Sequence, residues 1–413
     1  MKSVRRTAWE YLDKIIEHGG YASLLMRKGQ EGLSREDTAL LSEIVYGTLR
    51  YLSLLEYQWQ DLVKRTPGKK TAVLLDMSCY QLLFLDRIPD YAVIDEAVEM
   101  VSRNEKGFVN AVLRRVAERG IRYASSGDEV KDLAINTSHP EWLIRMWKAH
   151  YGWENTQKLC AFDLEPAVVY GRINTLKTTR DRLQDNPWIH FMNDLSFTCD
   201  GNLVRTEMFR QGEIVIQDLC SAEIPLLLDA ERGMRVLDAC SAPGTKAQEI
   251  AMLMGNEGEI LAGDLYPERV KLIEELMKRT GTSIVQTKVM DASVLQEEYI
   301  SAFDRVLLDV PCSGLGDLSH KPEIRWHLKP EDLDELCVLQ KQILDANAAY
   351  LKPGGILVYS TCTLNRKENE NQIRAFLQRH PEYELRYEHT YFPFEYDSDG
   401  FYLAVTVRKP DSL

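Results

Sequence analysis

Two cysteines sit where a thiol could act as a nucleophile. One lies in the run Asp309-Val310-Pro311-Cys312-Ser313-Gly314 and the other in Tyr359-Ser360-Thr361-Cys362-Thr363. Each follows a short apolar stretch, so both are expected at the ends of buried strands, opening on the same face of a sheet. The thiolate is the reactive form, and a helix N-terminus favours it over the unperturbed pKa of about 8.5. Asn365 and Glu368 are spaced as a capping box for a following helix, which would place Cys362 near such a terminus. Cys160, Cys199 and Cys337 read instead as inert small hydrophobes.

A second constellation could hold an anionic or amino-acid-like ligand group. Asp238-Ala239-Cys240-Ser241-Ala242-Pro243-Gly244-Thr245-Lys246 ends one apolar run in a Pro-Gly turn that opens a helix, where free backbone N–H groups are available. Its spacing matches neither GxGxxG nor a P-loop, and a purely structural turn is about as good a reading. The next apolar run ends at Asp264, where an acid could meet ribose hydroxyls, and Asp291 closes the one after. Any one of these acids could equally be a helix cap. No metal-ligand spacing accompanies them.

Positioning these residues requires a strand, turn, helix rhythm, and the chain supplies it from Met234 onward. Arg235 to Ala239, Glu259 to Asp264, Ser283 to Met290, Phe303 to Asp309 and Gly355 to Ser360 are apolar runs, separated by helical patterns at Glu268 to Arg279 and Glu331 to Leu351. This predicts a parallel sheet with helices on both faces. Upstream, Ala8, Leu12, Ile15, Ile16 and Leu40, Leu41, Ile44, Val45, Leu49 recur at helical spacing, with punctuation at Pro67-Gly68 and Pro89-Asp90, and strand signals are absent to about residue 120. Ser125-Ser126-Gly127-Asp128 reads as a linker. Trp142 and Trp147 then open a mixed stretch with a β-like run at Val168 to Ile173. The expected division is a multidomain chain: helical residues 1–130, a small α+β segment 136–220, and an α/β domain 221–413.

Composition limits the partners only weakly. The net charge is −13, which is unusual for a nucleic-acid binder. Residues 1–135 carry 20 Lys plus Arg against 20 Asp plus Glu, and the remainder 30 against 43, so the acidic excess lies downstream. The eight cysteines form no CxxC pair, as expected of a reduced cytoplasmic protein. No export signal is read at the start. The longest apolar stretch, Ala72 to Leu85, is too short for a membrane span and carries Asp76.

Taken together, the paired Asp-Val-Pro-Cys-Ser-Gly and Ser-Thr-Cys motifs resemble those of the RNA cytosine-C5 methyltransferases of the NOL1/NOP2/Sun family. The resemblance extends to Phe108-Val109-Asn110-Ala111-Val112-Leu113-Arg114, Ser138-His139-Pro140-Glu141-Trp142, Arg172-Ile173-Asn174, Gln217-Asp218 and Lys321-Pro322-Glu323-Ile324-Arg325-Trp326. It implies an all-α NusB-like RNA-binding domain, an RNA-recognition-like middle segment and a Rossmann-like catalytic domain that uses S-adenosylmethionine. It further implies that Cys362 attacks C6 of a cytosine, that Asp309 hydrogen-bonds the base edge, and that Cys312 assists loss of the C5 proton. The cofactor would be held by Cys240, Ser241, Ala242, Pro243, Gly244, Thr245, Lys246, Asp264, Asp291 and Asp309, with Arg269 orienting the site near Asp264. Arg114, Arg115, Lys148 and Arg172 are the basic residues expected to grip RNA. The helical domain favours 16S ribosomal RNA as substrate of a monomeric enzyme; a tRNA cytosine-C5 methyltransferase and a non-catalytic RNA-binding ribosome-assembly factor are the alternatives. A DNA cytosine methyltransferase would share the Pro-Cys motif but not require the second cysteine. Two positions depart from the family pattern of Gly-Gly-Lys-Thr and Ser-Thr-Cys-Ser: the cofactor loop reads Gly244-Thr245-Lys246-Ala247, and Thr363 follows Cys362.

Overall fold

The computed structural model describes residues 3–29 and 32–410. They form two compact units, one of residues up to 166 joined by 318–328, the other of 167–317 and 329 onward. The boundary expected near residue 130 therefore falls inside the first unit.

That unit is helical: α1 (Val4–His18), α2 (Ala22–Gly29), α3 (Arg35–Arg50), α4 (Leu52–Trp59), α5 (Lys69–Phe84), α6 (Asp90–Met100), α7 (Lys106–Arg119), α8 (Glu129–Asn136) and α9 (Glu141–Phe162). The Ser3 hydroxyl accepts the Arg6 N–H to start α1, Gly19 ends it in the left-handed conformation, and Ala8, Leu12 and Ile15 face the core. The apolar run expected to be too short for a membrane is α5, whose middle is buried on every side; its Asp76 accepts the Trp59 indole N–H at 2.7 Å. No helix among the described residues is long and apolar enough to cross a membrane. α9 is two helical stretches meeting at Gly152, whose φ of 82° breaks the helix. Residues 318–328 thread into this unit. Arg325, fully buried, donates to the carbonyls of Ser138, Asp163 and Leu318, while Trp326 donates to Leu49 O and Glu323 accepts from Ala22 N.

The second unit holds two sheets. The smaller is wholly antiparallel, in the order β2 (Ile189–Phe191), β3 (Ser196–Cys199), β1 (Tyr170–Ile173), β4 (Ile214–Ile216). The larger has seven strands in the order β10 (Tyr383–Tyr391), β11 (Phe401–Arg408), β9 (Leu351–Thr361), β8 (Phe303–Asp309), β5 (Arg235–Asp238), β6 (Glu259–Asp264), β7 (Val285–Val289). From β9 to β7 neighbouring strands are parallel, and two buried clusters of apolar side chains cover its opposite faces, as doubly wound architecture requires. The longer helices are α10 (Leu219–Leu227), α11 (Thr245–Leu253), α12 (Pro267–Thr280), α13 (Pro330–Ala348) and α14 (Glu370–Arg379). The five strands expected from sequence are parallel, and two further strands, β10 and β11, extend the sheet antiparallel at one edge. β10, at the sheet edge, is polar and exposed along most of its length, whereas β11 lies between β10 and β9 and is buried almost throughout.

Candidate active site

β5 leads to β6 on one side, and the chain later returns to place β8 on the other, so the strand order reverses between β5 and β8. A crevice forms at such a switch point, outside the carboxyl ends of the strands. Both expected clusters come from those ends: 238–246 after β5, Asp264 after β6, Asp309 to Cys312 at β8, and Cys362 one residue past β9.

The two thiols meet. Cys312 Sγ lies 3.4 Å from Cys362 Sγ, and both residues are half-buried. The close approach to Cys362, burial and the nearby Glu368 carboxylate push the Cys312 thiol well above its usual value. Beside them, Lys246 Nζ donates to one Asp309 oxygen at 2.7 Å and the Ser360 hydroxyl donates to the other at 2.8 Å. Burial would depress the Lys246 ammonium, but Asp309, Cys362 and Asp238 outweigh it and hold it charged.

The capping box expected from Asn365 and Glu368 does not form. α14 begins only at Glu370, and Asn365 Nδ2 donates directly to Glu368. Cys362 therefore sits at a strand end, eight residues before the helix, and owes nothing to a helix N-terminus. Burial and the nearby Asp238 drive the Cys240 thiol up.

In the loop after β5, Ser241 N–H donates to Gly263 O and Gly244 N–H to Ser241 O, so the turn is tied to β6. Gly244 has φ 100°, a conformation that L side chains rarely adopt, and Thr245 starts α11. Ala247 is fully buried against the sheet, so a small side chain suits its place. Asp264 is buried; it accepts the Tyr266 N–H at 3.2 Å and lies 3.6 Å from Arg269, which itself donates to Ala242 O. Asp291 is exposed and accepts the N–H and hydroxyl of Ser293, while Met290 N–H, one residue earlier, donates to Asp264 O.

Asp238 was read only as part of this loop, yet it is the unusual acid. Neither of its buried oxygens, nor the Ser241 hydroxyl, makes a well-formed hydrogen bond. Burial outweighs the relief that nearby Ser241 gives and pushes its carboxyl up to about 7. Unpartnered acceptors here, with Asp264 and Asp309 at neighbouring strand ends, suit a ligand that brings ammonium and hydroxyl donors.

A family model described as 16S rRNA methyltransferase RsmB/F matches residues 225–406, one of the NusB family matches 2–118, and a ferredoxin-like domain of RsmF/B-like methyltransferases matches 139–186. "Probable ribosomal RNA small subunit methyltransferase B" of Bacillus subtilis is 39% identical, over 92% of this chain and 90% of its own. The chain belongs to the ribosomal RNA small subunit methyltransferase B family. Its cofactor is S-adenosylmethionine. The Yersinia pseudotuberculosis protein named ribosomal RNA small subunit methyltransferase B is 31% identical over 98% of this chain and 99% of its own. Among solved structures, that of PH0851 has a TM-score of 0.82 at 25% identity, covering 98% of this chain and 97% of that one. NSun6 from Pyrococcus horikoshii, crystallised with SFG, shares the fold with a TM-score of 0.60 at 21% identity, covering 66% of this chain and 99% of its own.

One residue expected to contact RNA does not fit that part. Arg172 is fully buried beneath α11, bonded to Gln217 and Gln248 and 3.4 Å from Glu249. It joins the small sheet to the catalytic core. Arg114 and Arg115 are exposed on α7, and Lys148 lies 4.7 Å over the Trp153 ring. Sequence reasoning missed the Lys246–Asp309–Ser360 chain and the buried Glu368; for Glu368 the local spacing pointed to a cap and so away from its real partners.

Proposed function

We propose that this protein methylates carbon 5 of a cytosine in 16S ribosomal RNA, with Cys362 as nucleophile. The observation that carries the reading is the 3.4 Å approach of Cys312 and Cys362 beside the Lys246–Asp309 pair. One thiol can add to a base while the other removes a proton from the adjacent carbon.

Asp238, the 240–246 loop, Asp264 and Asp291 hold S-adenosylmethionine, with Arg269 bracing Asp264 against the loop. When bound, the cofactor supplies an electrophilic methyl group. The chain's own work is on the base. Cys362 thiolate bonds to C6, which places the displaced electron pair on C5, the atom that takes the methyl group. Asp309, oriented by Lys246 and Ser360, hydrogen-bonds the base edge as the ring changes charge. Bonding to C6 also removes the charge of Cys362, so Cys312 can release its proton to solvent and then accept the C5 proton. The C5–H pair closes the C5–C6 double bond, and Cys362 leaves as thiolate.

A duplex hides both C5 and C6, so the target must be unpaired or flipped. The NusB-type helical domain supplies part of the RNA grip. A cavity of about 830 Å³ there is lined by Lys64, Arg65, Phe108 and Arg115, cations and an aromatic suited to a nucleic-acid chain. The enzyme acts as a cytoplasmic monomer.

The test is transfer from methyl-labelled cofactor to unmodified 16S transcript, followed by nucleoside analysis. Label in 5-methylcytidine, lost in Cys362→Ala, is the expected result. Label in another nucleoside overturns the reading, and label in tRNA but not 16S transcript moves the substrate to tRNA.

A further inference from the structure

The two thiols face unlike surroundings, and the cause is a residue with no role in the chemistry above. Glu368 is fully buried. Its Oε1 accepts the Ser313 hydroxyl at 2.6 Å and Asn365 Nδ2 at 2.9 Å, and its Oε2 accepts Ser313 N–H and Gln340 Nε2, each at 2.9 Å. Every one of these partners is a donor. The three N–H groups can only donate and the Ser313 hydroxyl donates the fourth bond, an arrangement that suits a carboxylate. None of those partners carries a positive charge. The negative charge therefore rests on the backbone of the residue after Cys312.

The same carboxylate ties the two cysteine loops together. Leu315 N–H donates to Thr363 Oγ1 at 3.2 Å, and Thr363 Oγ1 lies 2.6 Å from Ser313 Oγ, which donates to Glu368. Gln340 Nε2 also donates to Pro311 O, the carbonyl just before Cys312, and Gly316 N–H donates to Cys362 O. Thr363, where the family pattern has serine, fills the hydroxyl position of this chain. The Lys246 ammonium, paired with Asp309, interacts with Cys362.

We infer that Glu368 is a positioning residue that ranks the two thiols: it clamps the Cys312 loop against the Cys362 loop and sets a negative charge behind Cys312, so the shared proton stays on Cys312 and Cys362 is released as the nucleophile. The assignment rests on the proposed role of Cys362. It accords with the upward shift of the Cys312 thiol, to which Glu368 contributes after Cys362 itself and burial.

Iodoacetamide alkylation of the full chain, without RNA or cofactor, tests this independently of methyl transfer. Each cysteine peptide is quantified by mass spectrometry from pH 6 to 10. In the wild type, Cys362 is expected to react at lower pH than Cys312. Glu368→Gln should move the Cys312 profile down by on the order of one pH unit and narrow the gap, whereas Glu368→Asp, which keeps the charge, should preserve the order. A melt establishes that each variant folds. An unchanged gap in Glu368→Gln would overturn the proposal, and so would a wild type in which Cys312 reacts first, a result that needs no variant at all. The expected order together with no methyl transfer would instead sink the proposed chemistry and leave this ranking standing.

Discussion

At the scale of single residues, burial separates groups that look alike in the sequence. Arg172 and Arg115 are both basic residues beside motif segments, yet one is sealed under α11 and the other is exposed, and nothing local in the sequence distinguishes them. Asp238 differs from Asp264 and Asp291 in the same way, because it alone has buried oxygens without a good partner. Its folded carboxyl titrates near 7, above the ordinary 3.8. Between those values the folded chain keeps a proton that the unfolded chain has released, so this group's contribution to stability falls as pH rises through that window and is flat above it. Asp238→Asn has no such group. The stability of the cofactor-free variant relative to wild type should therefore increase from pH 5 to pH 7, at a slope of up to about 1.4 kcal/mol per pH unit. A difference independent of pH in denaturant melts would show that Asp238 does not hold a proton in the folded enzyme.

Among the elements, periodicity located the parallel strands well. β6 and β8 fall on the residues expected, and β5 and β7 are each within two residues of their expected ends, whereas β9 starts at Leu351 rather than Gly355. β5 and β6, buried on both faces, read as continuous apolar runs, while β7 is only partly buried. The kink of α9 at Gly152 and the β10–β11 hairpin were not legible, since their patterns are set by tertiary packing and by an edge that half faces water. The segment 318–328 is the clearest case. Its Lys-Pro-Glu-Ile-Arg-Trp run is recognisable from the family resemblance, but only the structure gives its physical reason: Arg325 satisfies three carbonyls inside the helical unit. Burial lowers the Arg325 guanidinium to about 10, and Asp163 offsets part of that cost. Arg325→Ala leaves those carbonyls buried without a donor and should destabilise the protein by about 3 kcal/mol in chemical denaturation. A loss below about 0.5 kcal/mol, the range of an ordinary surface substitution, would mean that the segment is not held this way.

For the whole molecule, the acidic net charge left an RNA substrate open, and family membership with the placement of the two cysteines supports it instead. What the sequence left undecided was the order of the thiols, because both end strands of one sheet and both carry short polar neighbours. The most direct measurement is to incubate Cys312→Ala with 16S transcript and S-adenosylmethionine, run the mixture on a denaturing gel, and identify the cross-linked peptide by mass spectrometry, with melts confirming that the variant folds. The expected result is a protein–RNA species that persists because the C5 proton is not removed, with the RNA joined to the peptide that contains Cys362, and no such species in Cys362→Ala. Adduct in Cys362→Ala and none in Cys312→Ala would contradict the account and make Cys312 the nucleophile.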